Sequence, residues 1–394
     1  MRIVIAPDKF KGSLSAVEVA EAIAEGVRLT QKDADLEVCP MADGGEGTVE
    51  ALAAATGAQI RSARVRGPLP GQQVDARWAY LPASSAGLTT VGGEVSGLLQ
   101  PGEPVAVIEM AQASGFSLVP EGSRDPMTAN TWGTGELIVD ALDAGCHQVI
   151  VGIGGSGTVD GGTGMAAALG FRFLDKDGNE LAPGGGSLER ISSMDASGRE
   201  SRLTGTRFIV ASDVDNTLTG PEGAARVFGP QKGATPEQVE ALDRGLANLG
   251  RLLKERGMDV VDLPGAGAAG GLGAGLAAFC GASIVSGARL IAAVTGLAER
   301  VAGADLVLTG EGAYDGQTAR GKTPAGVAEI AREAGVPVVI VAGSVSVGTA
   351  LEGVPAFSVV PGPMSLSDAM LEARLLVVSG TARLMELLTL LPGA

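Results

Sequence analysis

Short β-branched runs alternate with amphipathic stretches along most of this chain, and that alternation limits the folds open to it. Arg2–Ala6 reads as a strand, Ser15–Arg28 as a helix, Leu36–Cys39 as a strand and Glu46–Thr56 as a helix. Strands separated by single helices run parallel, with each helix crossing back over a face of the sheet. Ser15 with Glu18 three residues on forms a capping box that fixes the first helix start. The pattern returns late in the chain. There Asp305–Thr309, Val336–Ala342 and Phe357–Val360 read as strands, Thr323–Ala334 as a helix, and a long helix runs from about Ser367. In the middle, Gln72–Leu81, Leu88–Val95 and Val105–Glu109 read as strands with no helix between them. Alternation resumes with Thr134–Asp143, Gln148–Ile153, Asp160–Leu169, Phe171–Leu174 and Arg207–Ala211. Thr235 then caps a long helix that has Pro236 at its first position and Val239, Leu242, Leu246, Leu249 and Leu253 on one face. With 394 residues, two domains are expected. The chain reads as an α/β protein with a second α/β domain (72–286) inserted into a first (1–71 and 287–394).

Composition excludes several functions. There are 29 Lys and Arg against 45 Asp and Glu, a net charge of −16, which argues against nucleic-acid and anionic-membrane partners. Aromatic residues make up 3% of the chain, too few for a base-stacking platform. One His and three Cys cannot assemble an ordinary zinc site, and the Cys spacing gives no disulfide framework, which fits a cytoplasmic location. His147 reads as a helix-end or strand-start residue and not a catalytic one. Met1–Pro7 reads as a first strand and not a signal peptide. Leu263–Ala288 carries no charge and has GxxxG spacings, but it is mostly Gly and Ala, so a soluble reading is expected.

Two glycine patterns compete. Gly316–Thr323 matches the phosphate-cradling P-loop expression, yet it begins well after the strand ending near Thr309, and Pro324 follows directly. Gly152-Ile-Gly154-Gly-Ser-Gly157 follows a strand and precedes a helix, with Asp175 and Asp177 about 20 residues on, the context of a dinucleotide site. Other strand-to-helix junctions carry polar groups. Asp8-Lys9-Phe10-Lys11-Gly12-Ser13 offers two ammonium groups, a hydroxyl and helix N–H groups to an anion. Asp43-Gly44-Gly45-Glu46, Asp213-Val-Asp215-Asn216 and Thr309-Gly-Glu311-Gly-Ala-Tyr-Asp315 are similar junctions. Each one alone is ordinary turn and cap chemistry. Together, their paired acids and lysines suggest Mg2+ and a phosphorylated ligand.

In order and number these segments resemble the bacterial glycerate kinase family, the type related to glyoxylate and glucarate breakdown. The carriers are Ala6-Pro-Asp-Lys-Phe-Lys-Gly-Ser-Leu-Ser15, Met41-Ala-Asp-Gly-Gly-Glu-Gly-Thr48, Thr131-Trp-Gly-Thr-Gly-Glu136, Gly152–Ser156 with Asp160-Gly-Gly162, Phe228–Ala234, Pro264–Gly273 and Thr309–Gly312 with Asp315-Gly-Gln317 and Gly321-Lys322. Val159 and Thr217 depart from the family pattern, where Asn and Pro are usual. The resemblance implies ATP-dependent phosphorylation of D-glycerate, most often to 2-phosphoglycerate, with 3-phosphoglycerate the other possible product. It implies two α/β domains, one a flavodoxin-like parallel sheet built from both chain ends, with the active site between them. Asp43, Asp213 and Lys11 are then the catalytic candidates. Asp8, Lys9, Ser13, Gly44, Gly45, Glu46, Ser156, Asp160, Asn216, Lys232, Glu311, Asp315, Gln317 and Lys322 are candidates for substrate or phosphate contact. Asp213 and Asp215 are candidates for Mg2+. Which acid acts as base stays open, and so does monomer against homodimer. A dinucleotide-dependent oxidoreductase acting on a hydroxy acid is the alternative, and a non-catalytic ligand sensor is a third reading.

Overall fold

A computed structural model describes residues 1–84, 97–315, 323–346, 348, 351 and 353–390. The expected strand at Leu88–Val95, and Gln317 and Lys322 with most of the P-loop-like segment, lie outside the described residues. The strands are Arg2–Ile5 (β1), Asp35–Val38 (β2), Gln59–Arg66 (β3), Gln73–Leu81 (β4), Val105–Glu109 (β5), Gln148–Gly152 (β6), Arg172–Leu174 (β7), Ser193–Asp195 (β8), Arg207–Ala211 (β9), Ser283–Val285 (β10), Leu306–Tyr314 (β11), Val338–Val345 (β12) and Ala356–Ser358 (β13).

The first sheet has the order β13-β12-β11-β1-β2 and is parallel throughout. Counted within this sheet alone, that is the flavodoxin order, built from both chain ends as expected. Its strand order reverses between β1 and β11, so a crevice opens at the carboxyl ends of those two strands. The second sheet has the order β10-β9-β6-β5-β4-β3, parallel from β10 to β5 and antiparallel at β4 and β3. Strands β7 and β8 form a separate two-stranded sheet.

Alternate residues of β1 serve different cores, as the two-residue period of a strand requires. Ile3 and Ile5 pack with Val19 and Ile23 of the helix Ala16–Thr30 and with Val377 and Met385 of the helix Ala373–Thr389. Val4 faces the other way, into a core shared with Leu81, Val107, Ile150 and Ile209 of the second sheet and Leu290 and Ile291 of the helix Gly287–Val294. Both capped helices appear where the sequence places them. Ser15 caps Ala16–Thr30, and Thr235 with Gln238 forms a capping box on Pro236–Glu255.

Several expectations need correction. The Gly71 boundary falls inside the β3–β4 hairpin, because β3 already pairs in the second sheet. Phe171–Leu174 contributes to the β7–β8 pair and not to the parallel sheet. The run ending at Thr309 continues as strand to Tyr314, so Glu311 lies within β11. The C-terminal helix is interrupted at Glu372. The helix Ala268–Cys280 is short and buried, and none among the described residues is long and apolar enough to cross a membrane.

Gly310 lets β11 lie close to β12, since a Cβ there would meet the Val341 carbonyl oxygen at 2.0 Å. Gly310→Ala should therefore cost about 1–3 kcal/mol through overpacking. At Gly326, in the helix Thr323–Glu333, the nearest atom to a new Cβ is at 3.6 Å. Gly326→Ala should instead add roughly 0.5–1 kcal/mol from helix propensity. Urea unfolding midpoints of the two variants test both signs.

Candidate active site

The chain leaves β1 and turns at Asp8, whose N–H donates to the Gly310 carbonyl at 2.8 Å. The Asp8 carboxylate accepts from Lys9 N–H and from the Thr323 hydroxyl, each at 2.7 Å. Burial pushes its pKa above the usual carboxylate range, although Lys9 opposes the shift. The Lys9 ammonium lies 3.8 Å from Asp8 Oδ1 and 3.5 Å from Asp43 Oδ1. Burial also works against the Asp43 anion, but Lys9 and the Gly45 N–H, at 3.0 Å, outweigh it and hold the Asp43 pKa below its ordinary value. Lys11 is exposed on the same loop as Lys9, and the Ser13 hydroxyl donates to the Phe10 carbonyl at 3.1 Å.

The Asp43–Gly45 turn rests on the second sheet with backbone against backbone. Gly154 N–H donates to the Gly44 carbonyl at 3.2 Å. A Cβ on Gly152 would meet that carbonyl oxygen at 2.4 Å, and one on Gly154 would meet Gly45 Cα at 2.6 Å. The glycines of the G-x-G-x-x-G pattern therefore serve the contact between sheets. The dinucleotide reading fails on two further points. The helix after the pattern begins only at Thr163, and the half-buried Asp175 is spent within the β7–β8 connection, accepting from Asp177 and Asn179 N–H.

Asp213 follows β9 and sits at the start of the helix Gly287–Val294. It accepts from the Ser286 hydroxyl and Gly287 N–H, both at 2.8 Å, and from Ala288 N–H at 3.3 Å. Burial raises its pKa to about 6, with the Asp43 charge adding to the effect and the Ser286 hydroxyl opposing it.

The loops after β1 and β2 and the end of β11 border one cleft of about 1150 Å³ lined by Asp8, Lys9, Lys11, Ser13, Asp43, Gly45, Glu46, Glu311 and Asp315, whereas Asp213 is not in its lining and lies behind it, close enough to feel the Asp43 charge. Glu46 also reaches the second domain, accepting from the Ser117 hydroxyl at 3.1 Å. Gly44 lies beneath the lining, against Ala211. Other candidates lie elsewhere. Asp160 is fully buried and accepts from Thr131 N–H and hydroxyl and from Gly162 and Gly164 N–H, which ties two helix starts together. Lys232 is buried and donates to the Ser156 hydroxyl at 2.6 Å and the Thr158 carbonyl at 2.7 Å, and burial lowers its pKa to about 7 against the pull of Asp160. Asn216 donates to the Glu222 carbonyl, and Asp215 is exposed. Among the described residues no group of three or more His, Cys, Asp or Glu could hold a metal, so Asp213 and Asp215 have no third protein ligand there.

The sequence did not single out Glu109. It is buried at the end of β5 and accepts from Gly47 and Val49 N–H at the start of the helix Thr48–Thr56. An acid closing the apolar run Val105–Ile108 was the available signal.

The glycerate kinase family profile matches residues 3–389. This chain belongs to the glycerate kinase family. It is 47% identical over 374 residues to a glycerate kinase of Bacillus subtilis (strain 168), covering 94% of this chain and 93% of the relative. It is 47% identical over 347 residues to the glycerate 2-kinase of Escherichia coli (strain K12), covering 88% and 86%. A glycerate kinase 2 crystal structure from Salmonella typhimurium LT2 matches with a TM-score of 0.82 and 47% identity, covering 99% of this chain and 98% of that one. The two-sheet arrangement is thus shared with a solved structure of the family.

Removing the Glu109 carboxylate leaves two N–H groups of a helix start without their acceptor. Glu109→Ala should lower stability by about 1–3 kcal/mol. Thermal and urea unfolding measure that loss.

Proposed function

We propose that this chain is a glycerate kinase, transferring the terminal phosphoryl group of ATP to the 2-hydroxyl of D-glycerate. The observation that carries this reading is the convergence of Lys9, Lys11, Asp43 and Glu46 in one cleft at the carboxyl end of a flavodoxin-order sheet, in a chain of the glycerate kinase family. The relative from Escherichia coli is named a glycerate 2-kinase, which favours the 2-hydroxyl over the 3-hydroxyl.

Phosphoryl transfer asks a protein for positioning and charge neutralisation more than for covalent chemistry. Lys11 and Lys9 place ammonium groups where anionic oxygens of glycerate and phosphate would gather. Asp43 is held as an anion by Lys9, which makes it a weak proton acceptor and a good orienting group. Asp213, with a pKa near 6, has the basicity suited to taking the hydroxyl proton at neutral pH. Its three donors fix the direction of its oxygens. Mg2+ favours one or two carboxylates together with phosphate oxygens and water, and Asp43, held as an anion at the cleft, would fit that donor set. When bound, the ion supplies neutralisation of phosphate charge.

Protein incubated with ATP, Mg2+ and D-glycerate should release ADP, and phosphorus NMR should show a product phosphorylated at C2. Absence of ADP release would sink the reading. Turnover should rise with pH as Asp213 ionises, with a limb near pH 6. Ser286→Ala removes a donor to the anion and should move that limb to higher pH. Asp213→Asn should lower kcat by about 10²-fold or more and abolish the limb. Near-normal turnover in this variant would remove Asp213 from the role of base.

A further inference from the structure

The cleft is far larger than a three-carbon acid needs, and its two ends differ in chemistry. Pockets of roughly 300–1,000 Å³ take ligands of drug size. One end carries the charged groups already described. The other is walled by Val345, Val360, Pro363, Met364, Leu366 and Met370, from β12, the segment after β13 and the helix Leu366–Leu371. Several of these are left in water, with Leu366 at 77% exposure and Met364 at 37%. Apolar side chains that line a concavity without being covered mark a place for an apolar ligand group.

The two ends meet at the Lys11–Ser13 loop. The Met370 terminal methyl lies so close to Gly12 that a Cβ there would sit 2.7 Å from it. The apolar wall therefore touches the same loop that presents Lys11 to the cleft. Among the described residues Lys11 takes part in no ion pair, although the chain carries 45 acids. A ligand matching this order has a flat apolar group at one end and a polyanion next to it. Glycerate has no such group and a nucleotide does.

We propose that the wall formed by Val360, Pro363, Leu366 and Met370 is the nucleobase subsite of the cleft, with Met370 against the base and Lys11 receiving the phosphate chain that leaves it. This rests on the kinase reading above. Among the described cleft-lining residues the single aromatic is Phe10, which is buried, so the base is held by aliphatic and thioether contact and not by ring stacking. A polarizable thioether beside an aromatic edge is a favourable pairing.

The test uses full-length protein and steady-state kinetics with each substrate varied in turn. Met370→Ala and Leu366→Asp should each raise KM for ATP about tenfold, with KM for glycerate and kcat within about twofold. Calorimetric titration with ADP should show a matching loss of affinity. Leu387→Ala, at an exposed apolar residue outside the cleft, should change neither. Thermal unfolding identifies a variant that has lost its fold, and Met370→Leu, which keeps the volume, should retain most of the ATP affinity. If the wild type turns over and the two cleft variants leave KM for ATP and ADP affinity unchanged, or shift KM for glycerate instead, the base assignment is wrong while the kinase reading stands. If the wild type makes no ADP from ATP and glycerate yet binds ADP, and the variants weaken that binding, the subsite stands and the kinase reading falls.

Discussion

The cleft depends on how closely the Asp43–Gly45 turn approaches the second sheet. A Cβ on Gly44 would lie 2.6 Å from the Ala211 carbonyl oxygen, and one on Gly287 would lie 2.0 Å from that of Asp43. With Gly152 and Gly154, bare backbone from four segments meets where three of the parallel strands end. Side chains at these points would separate the two sheets and carry Asp43 away from Asp213. Glycine is usually discussed for its positive φ, and Gly44 does have φ +84, but at Gly152, Gly154 and Gly287 the requirement is proximity.

That proximity has an electrostatic consequence. The Asp43 charge helps raise the Asp213 pKa, and their surroundings push the two pKa values in opposite directions. Lys9 keeps Asp43 ionised. Asp213 has only neutral donors and an anionic neighbour, so burial dominates. Two carboxylates set apart in this way differ in proton affinity, which is the basis of the separate roles proposed for them. A chain with net charge −16 would otherwise repel a polyphosphate, so the placement of Lys9 and Lys11 at the cleft matters more than the overall balance.

What the sequence disclosed is what local rules govern. The capping boxes at Ser15 and Thr235 involve residues three apart, so they were readable without a fold. The parallel sheet from both chain ends was readable because buried strands are continuous apolar runs. Strand β3 was missed because Gln-Ile-Arg-Ser-Ala-Arg-Val-Arg lies at the sheet edge, half in water and rich in Arg, with no apolar run to announce it. Strand β11 was cut short at Thr309 because Gly310 and Gly312 look like a turn, whereas they permit close backbone packing against β12 and the Phe10 loop. The cleft residues near β1 and β2 are legible because acids and lysines gather at strand ends. Asp160 and Lys232 stand in the same kind of motif. Their burial, which turns them into internal ties, depends on long-range contacts that no spacing reveals.

The shared core constrains how this cleft can work. Val4 and Val307 of the first sheet pack in the same cluster as Leu81, Val107, Ile150 and Ile209 of the second. Prising the sheets apart would expose these side chains, at roughly 1.5–3 kcal/mol for each large one uncovered. The floor of the cleft is therefore anchored in a core common to both sheets. Lys11, Gly12 and the stretch from Pro361 to Asp368 are exposed and carry little packing of their own. A floor anchored in that core keeps Asp43 close to Asp213, while the lightly packed borders leave the rim of the cleft open to solvent.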